Sequence, residues 1–562
     1  MRFPILHPSK LFSKRTLKED STAGLVLGVE SVPDGLAAGL LANVNPLAGL
    51  YGYMFGTVGG ALFTATPLMT VQATGAMAIV VDDVNLETFD DPERALFTLA
   101  ILTGIVMIAA GLLKLGSILR WVSKAVMTGF ITAVGLNIVL GQLDTFTGYE
   151  AEGDNRVARA IDLLFNIGQV HWATFAVGCV TIALIVWLQR TRLGALGMVV
   201  AIVVGSALGW FLRDNGREIA QVKDISDVPN SLPLFVLPDL GSIQGLIVPA
   251  FSLAFVGLVQ GAGVSAGFPN KDGTFGDPSQ DFVGQGTGNL LSGFFRGMPV
   301  GGSMSASSIV DQAGAKTRQA LLVTGVVMAV IILAFASLVE LIAMPALAGL
   351  LIVVGVQAIK PDQVRTVYKT GPVQASVMVV TLVLTMIIPL QYAVLVGVGI
   401  SIILWVGRQS NRLTIKRIEF QDDEYREIDP PATIGRNDVV VLQPYGNFFF
   451  ASATTLEDRI PSVTTESTNS VVILRLRGVQ DFGATTIDVI RRYAQTLDRA
   501  ECRFMLVTDS ERIISQLEAT GAAASIGEHN LYLSDEWLGR TIRKAVHDAE
   551  DWIEANRAID EP

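Results

Sequence analysis

Residues 299–317 read PVGGSMSASSIVDQAGAKT, a run of glycine, serine and alanine inside a chain dominated by apolar stretches. The 562 residues are 50% hydrophobic and 17% charged, with a mean hydropathy of +0.48, whereas a soluble chain carries about 25% charged residues. Apolar runs of about 20 residues recur between Ser21 and Val406, the pattern of a polytopic membrane protein. In that setting the quoted stretch is too polar and too glycine-rich for a lipid-facing helix. Within it only a short apolar run, SSIV (307–310), precedes the first charge, Asp311.

A second stretch behaves alike: TVQATGAMA (70–78) follows TATP (64–67) and is itself followed by little more than VV before Asp82. Non-helical backbone at membrane depth is tolerated only where it is buried in protein or lines a cavity. Glycine-interrupted segments in matching positions of two halves point to a transporter's binding site. Here they fall in the third and tenth spans of a seven-plus-seven plan, with an echo between Gly75-Ala76-Met77-Ala78 and Gly302-Ser303-Met304-Ser305. Inverted repeats would aim two half-helices at each other near the bilayer midplane. Each helix N-terminus offers unpaired N–H groups and about half a positive charge, so two together hold a small anion without lysine or arginine. Packing of small residues between helices is the competing explanation. It does not account for the shortness of both segments.

Charge sets the orientation. The N-terminal tail and segments 114–124, 189–193, 315–319, 360–371 and 407–412 are basic, whereas 82–93 and 144–154 are acidic. With the N-terminus inside and fourteen crossings, every basic segment falls on the cytoplasmic side. Both termini are then cytoplasmic, and the protein is expected as a multi-pass component of the cell's inner (plasma) membrane. The tail, 1–19, has no apolar core before a small-residue cleavage site, so no secretory signal is expected. After the transmembrane region (20–408) and an acidic linker (409–436), strands such as VVVLQPYG and SVVILRLRG alternate with helical patterns. A small cytosolic α/β domain is expected over 437–556. Cys179 and Cys502 lie in regions not expected to meet, and the four histidines lie outside the apolar spans, so neither a disulfide nor a histidine metal site is expected. No nucleophile–base pair or phosphate-binding loop is visible, and an enzyme is not expected. The net charge of −11 sits largely in loops and the C-terminal part and carries no implication of nucleic-acid binding.

At this point the residues resemble the sulfate permease (SulP) family of anion transporters over nearly the whole chain. DSTAGLVLGVESVPDGLAAGLLANVNPLAGLYG (20–52) is similar to the family's first signature, and VMTGFITAVGLNIVLGQLDTFTG (126–148) to its fifth span. DPSQDFVGQGTGNLLSGFFRGMPVGGSMSASSIVDQAGAKT (277–317) resembles the long motif of the ninth and tenth spans, the most specific of the three. PYGNFFFASA (444–453) with LRGVQDFGATTIDVI (476–490) looks like the STAS domain that ends most members. The resemblance implies fourteen spans as two inverted repeats, a mobile core and a gate, homodimers, and elevator-like alternating access. Carried onto this chain, the anion-binding positions are Gln72, Ala73 and Thr74 with Gly302, Ser303, Met304 and Ser305. The substrate implied is a small inorganic oxyanion, sulfate or bicarbonate. A regulatory ligand or protein at the STAS domain is a further possible partner.

Three positions depart from the family pattern. Ala306 stands where many relatives have an arginine. Gln260 replaces an eighth-span carboxylate tied to proton or sodium coupling in prokaryotic relatives. Gly483 and Ala484, followed by Thr485, stand at the usual Asp-Ser of the STAS loop, which speaks against a phosphorylation switch. The first span carries Glu30 and Asp34, four residues apart and on one face of a continuous helix, with Pro33 between them. An intramembrane carboxylate marks a functional site by default. An ionised carboxylate repels a nearby anion, so a proton or sodium ion must arrive with the substrate. Glu30, Asp34 and Gln260 are therefore the coupling-ion candidates, and no other cofactor is expected. An uncoupled exchanger or passive anion pathway is the alternative, followed by a nucleobase permease of related plan and a membrane-tethered STAS signalling protein.

Overall fold

The computed structural model describes residues 15–560 apart from 117–122, 154, 192, 195, 270–272, 389–391, 393–395, 397–398, 401–402, 405–412, 422–423, 447, 449–452 and 538. The chain divides into two compact units, Met1–Ser401 and Ile402–Pro562. The first is helical: α1 (Leu17–Leu41), α2 (Pro46–Phe63), strand β1 (Thr70–Gln72), α3 (Gly75–Asp82), α4 (Pro92–Leu112), α5 (Lys124–Gly141), α6 (Leu143–Thr147), α7 (Arg156–Phe165), α8 (Trp172–Leu188) and α9 (Leu196–Asp214). There follow α10 (Ile243–Gly267), α11 (Pro278–Phe294), strand β2 (Gly301–Ser303), α12 (Met304–Gln312), α13 (Gln319–Glu340), α14 (Met344–Ala358), α15 (Pro361–Thr370) and α16 (Pro372–Ile387). Seven of the described helical segments are long and apolar enough to cross a membrane. The last expected span lies largely outside the described residues.

Two bundles organise these helices. In one, α1, α2, α4, α10, α11 and α13 pack around the short helices α3 and α12. In the other, α14 packs on α5 and α8, with α9 against α8 and α16 against α5. They meet where α1 lies against α9 and α14, and where α3 lies against α5. Close approach in the first bundle depends on missing side chains: a Cβ on Gly60 of α2 would sit 2.3 Å from Val71 Cγ2 of β1. Pro33 is accommodated inside α1, which continues to Leu41.

The second unit is a six-stranded sheet with strands β3 (Thr414–Gln421), β4 (Glu424–Ile428), β5 (Val439–Tyr445), β6 (Val471–Arg475), β7 (Arg503–Thr508) and β8 (Leu531–Leu533), in the order β4-β3-β5-β6-β7-β8. The β5–β8 run is parallel; β3 and β4 pair antiparallel at its edge. Helices α17 (Ala453–Arg459), α18 (Ala484–Arg499), α19 (Glu511–Ala519) and α20 (Ala522–Ile526) contribute to the apolar layer on one face. The single long helix α21 (Arg540–Asp560) packs Ile542, Ala545, Ala549 and Ile553 on the other. The segment read as an acidic linker thus carries two strands. Charge hides them: in TIKRIEF, Ile415 and Ile418 are buried in the layers on opposite faces of the sheet, with Lys416, Arg417 and Glu419 among them, and β4 buries no residue fully.

Candidate functional site

The two glycine-rich stretches become two short strands that pair with each other. β1 and β2 run antiparallel, with Thr70 opposite Ser303, Val71 opposite Gly302 and Gln72 opposite Gly301. Because each strand feeds directly into a short helix, α3 and α12 leave this ribbon from opposite ends. Both N-termini therefore border the crossing. All six ribbon residues are buried.

Each half-helix is capped by its own side chain. Thr74 Oγ1 accepts the Met77 N–H at 3.3 Å, and Ser303 Oγ accepts the Ala306 N–H at 3.3 Å. These are the N3 donors that a serine or threonine N-cap satisfies. The N–H groups of Gly75, Ala76, Met304 and Ser305 come earlier in each first turn and have no intrahelical acceptor. Among the described residues they have no other acceptor either. Two sets of open donors at two positive helix ends are an arrangement able to hold an oxyanion. The Ser303 and Ser305 hydroxyls lie 3.2 Å apart beside it.

Neighbouring helices hold the ribbon in place. Asn289 of α11 grips Val300 twice, its Nδ2 donating to the carbonyl at 2.6 Å and its Oδ1 accepting the N–H at 2.9 Å. Gln285 Oε1 accepts the Gly302 N–H at 2.9 Å, and Ser307 Oγ accepts the Thr70 N–H at 3.0 Å. From α10, Gln260 Oε1 accepts the Thr74 hydroxyl at 2.6 Å. From the second bundle, Ile138 of α5 closes on the α3 start, its Cδ1 only 2.4 Å from where a Gly75 Cβ would be.

The residues named from sequence are brought together with different tasks. Gln72 is fully buried and turns its amide to α1, where Nε2 donates to Ser31 Oγ at 2.9 Å; its Oε1 has no donor among the described residues. Ala73 is buried, Thr74 and Ser303 are caps, and the Gly302 N–H is already spent on Gln285. Met304 and Ser305 supply two of the open N–H groups. Ala306 is buried in the first turn of α12, so no guanidinium occupies that position.

Of the coupling candidates, Gln260 alone bonds directly to a half-helix cap. Glu30 is 5% exposed and its Oε2 has no donor among the described residues. Asp34 accepts the Tyr53 hydroxyl at 2.7 Å. Both carboxylates lie on α1, whose Ser31, the residue after Glu30, accepts from Gln72 of β1.

Three buried charges were not singled out from sequence. Asp281 of α11 accepts the N–H groups of Ala65 and Thr66 at 2.8 and 2.9 Å, the Thr66 hydroxyl at 2.7 Å and the Ser265 hydroxyl. Asp20 of α1 does the same for the turn after α12, accepting from Lys316 N, Thr317 N and Thr317 Oγ1 at 2.7, 2.9 and 2.7 Å. Arg318 donates to the Ala61 and Thr64 carbonyls at the end of α2, at 3.2 and 2.9 Å. The available signal was Asp277-Pro278 as a helix start, which places Asp281 in a first turn.

In the second unit, Gly483 precedes α18 without any side-chain cap, and Thr485 is exposed in its first turn.

The sulfate permease family model matches residues 17–381, and the STAS domain model matches residues 430–549. The chain is 28% identical to the bicarbonate transporter BicA of a Picosynechococcus species over 424 residues, which is 73% of this chain and 74% of that one. It is 26% identical to the putative sulfate transporter YbaR of Bacillus subtilis over 482 residues, 84% and 91% of the two chains. Its fold matches the murine Solute Carrier 26 family member A9 anion transporter in the inward-facing state with a TM-score of 0.83, at 19% identity over 98% of this chain and 94% of that one. It matches the transmembrane domain of a cyanobacterial BicA with a TM-score of 0.60, at 25% identity over 70% and 98%.

Proposed function

The chain belongs to the sulfate permease family, and on that premise we propose that it carries sulfate or bicarbonate across the membrane by elevator-like alternating access. The observation that carries this reading is the β1–β2 ribbon with its two capped half-helices. The anion sits against the open N–H groups of Gly75, Ala76, Met304 and Ser305, with the Ser303 and Ser305 hydroxyls beside it. Backbone donors at helix N-termini bind tetrahedral and planar oxyanions alike. The first bundle carries the receptor; the second presents α5, α9 and α14 as the surface it slides along. A contact limited to α1 and α3 is compatible with such sliding.

Coupling follows from electrostatics. Among the described residues, Glu30 has a buried oxygen without a donor, and Asp34 accepts the Tyr53 hydroxyl. A proton or a sodium ion at this pair removes the negative charge that opposes anion entry. The second reading, an uncoupled exchanger, is favoured by Gln260, a neutral residue at the receptor itself. In this proposal the STAS unit regulates transport, and the protein works as a homodimer in the plasma membrane with both termini cytoplasmic.

The deciding experiment is uptake of radiolabelled sulfate and bicarbonate into proteoliposomes, with proton and sodium gradients imposed separately. Uptake of one anion driven by one gradient supports the coupled reading. Uptake that needs only a counter-anion supports exchange. Failure to move any anion under either regime sinks the transport assignment.

A further inference from the structure

Arg156 opens α7 and bonds to the far end of the α3 half-helix. Its Nη2 donates to Asp82 Oδ2 and, at 3.4 Å, to Asp83 Oδ1. Asp82 is the last residue of α3 and Asp83 its C-cap, so the guanidinium meets two carboxylates and the negative helix end together. The three side chains are 16%, 27% and 16% exposed, which limits screening by salt.

The two partners belong to different bundles. α3 lies in the first, whereas α7 packs on α5 of the second. α7 is also amphipathic in the manner of an interfacial helix. Ile161, Leu164 and Phe165 are exposed apolar residues. Asp162 on its other side accepts from the Tyr149 hydroxyl and the Glu152 N–H, both at 3.0 Å. A helix of this kind lies in the membrane–water boundary and resists movement along the membrane normal. Its N-cap, Asn155, accepts the Ala158 N–H at 2.9 Å and sets where Arg156 begins.

We propose that Arg156 is a positioning residue for transport, a latch that holds α3 to the second bundle and parts once in every cycle. This rests on the elevator reading above. α3 is only eight residues long, so a hold on Asp82 is a hold on the cap at Thr74 and the receptor N–H groups next to it. When the first bundle moves, α7 stays with the interface and the ion pair has to open. The surroundings allow this. Asp82, Arg156, Arg159, His171 and Arg217 line a cavity of about 820 Å³, with room for the guanidinium to swing and water to solvate both charges.

The test uses the full chain with Cys179→Ala and Cys502→Ala, carrying Arg156→Cys and Asp82→Cys, in proteoliposomes. A short, reducible bis-methanethiosulfonate bridges the pair, since a long arginine side chain spans this contact and a direct disulfide demands Cα atoms within about 7 Å. Cross-linking is expected to cut sulfate or bicarbonate uptake at least tenfold, and reductant to restore it. A merely structural contact tolerates the bridge, so uptake unchanged by cross-linking overturns the latch. In a second arm, Arg156→Asp alone is expected to alter the half-saturation concentration severalfold, and adding Asp82→Arg to return it toward the parent value. No change in the single variant also overturns the proposal. If the parent chain moves neither anion, the transport reading has failed independently. Bridging rates with and without sulfate, bicarbonate and chloride then decide the latch. A severalfold anion-dependent change supports it, and equal rates overturn it.

Discussion

The Thr74 hydroxyl lies 2.6 Å from Gln260 Oε1 while also accepting the Met77 N–H, so the one proton it owns goes to the glutamine carbonyl. The N-cap of α3 is thus wired to α10 through a neutral residue. Gln260 Oε1 takes the Thr74 proton, so the glutamine's amide nitrogen is left for other acceptors.

Gln260→Glu keeps the acceptor for Thr74 and exchanges the amide for a negative charge. Two unit charges about 4 Å apart interact with roughly 1 kcal/mol in water and about 4 kcal/mol at an effective dielectric of 20. The half-saturation concentration for sulfate is therefore expected to rise about tenfold or more, and more for divalent sulfate than for monovalent bicarbonate. Kinetics of uptake for both anions check this. Equal effects on the two would show that the substituted residue acts on the fold and leaves the anion's field untouched.

Ser303→Ala removes one cap without adding charge. The lost hydrogen bond costs roughly 1 kcal/mol of helix stability, and the nearby Ser305 hydroxyl loses its neighbour at 3.2 Å. Severalfold weaker anion uptake with normal expression is expected. Thr74→Ser, which keeps both hydrogen bonds, is expected to transport like the parent. A Ser303→Ala protein with parental kinetics would remove Ser303 from the receptor.

Much of this was legible in the sequence because two signals reinforce each other. Glycine-rich stretches at 70–78 and 299–308 interrupt apolar runs, and the structure pairs them as β1 and β2, each leading into a short helix. What the stretches do individually was not legible. Gln72 and Gly302 look equivalent to Thr74 and Ser303 by position, yet Gln72 turns to Ser31 and Gly302 gives its N–H to Gln285. Those partners are 41 and 17 residues away in the chain and leave no local trace. The same holds for Asp281 with Ala65 and Thr66, and for Asp20 with Thr317, each more than 200 residues apart. In the C-terminal unit, β4 was hidden because an edge strand carries charges on its open side, and the inner strand β3 because Lys416, Arg417 and Glu419 interrupt its apolar residues.

Asp281 anchors the turn that leads into β1 and is expected to govern stability. Its carboxylate accepts from two backbone N–H groups and two hydroxyls. Asp281→Asn keeps the shape, but its NH₂ group turns a donor toward donors. With charged acceptors contributing roughly 1.5–3 kcal/mol and an unsatisfied buried donor costing roughly 1–3, a loss of about 2.5–6 kcal/mol is expected. Thermal unfolding of the detergent-purified protein reads it as a melting point lower by several degrees. Asp281→Asn with an unshifted melting point would show that the turn is held by other contacts.

Tyr532 of β8 titrates late. Burial and the Asp548 carboxylate, whose Oδ2 accepts its hydroxyl at 2.9 Å, push it from 10.0 up to about 12. In the unfolded chain the phenol ionises near its ordinary value of about 10. Its contribution to stability is therefore complete below pH 10 and lost as the pH rises through about 12. The protein's alkaline unfolding is expected to steepen in that window, and Tyr532→Phe to flatten it. Circular dichroism at fixed temperature across the window measures this; parallel curves would mean that Tyr532 is as accessible folded as unfolded.

Glu30 and Asp34 bear the question of coupling. Glu30 has a buried oxygen with no donor among the described residues, and Asp34 is held by Tyr53. If a cation enters here with each anion, then Glu30→Gln supplies permanently what the cation supplies transiently. Uptake by that variant is expected to persist while losing its response to the imposed gradient. Asp34→Asn is expected to do the same if the site spans both residues, and to leave the response intact if Glu30 acts alone. Tyr53→Phe separates the two cases by another route: it frees Asp34 from its one donor among the described residues without removing a carboxylate. A shift in the gradient dependence of the Tyr53→Phe protein places Asp34 in the coupling site. If gradient-driven uptake is unchanged in both carboxylate variants, coupling does not pass through α1, and the neutral Gln260 leaves exchange as the mode of transport.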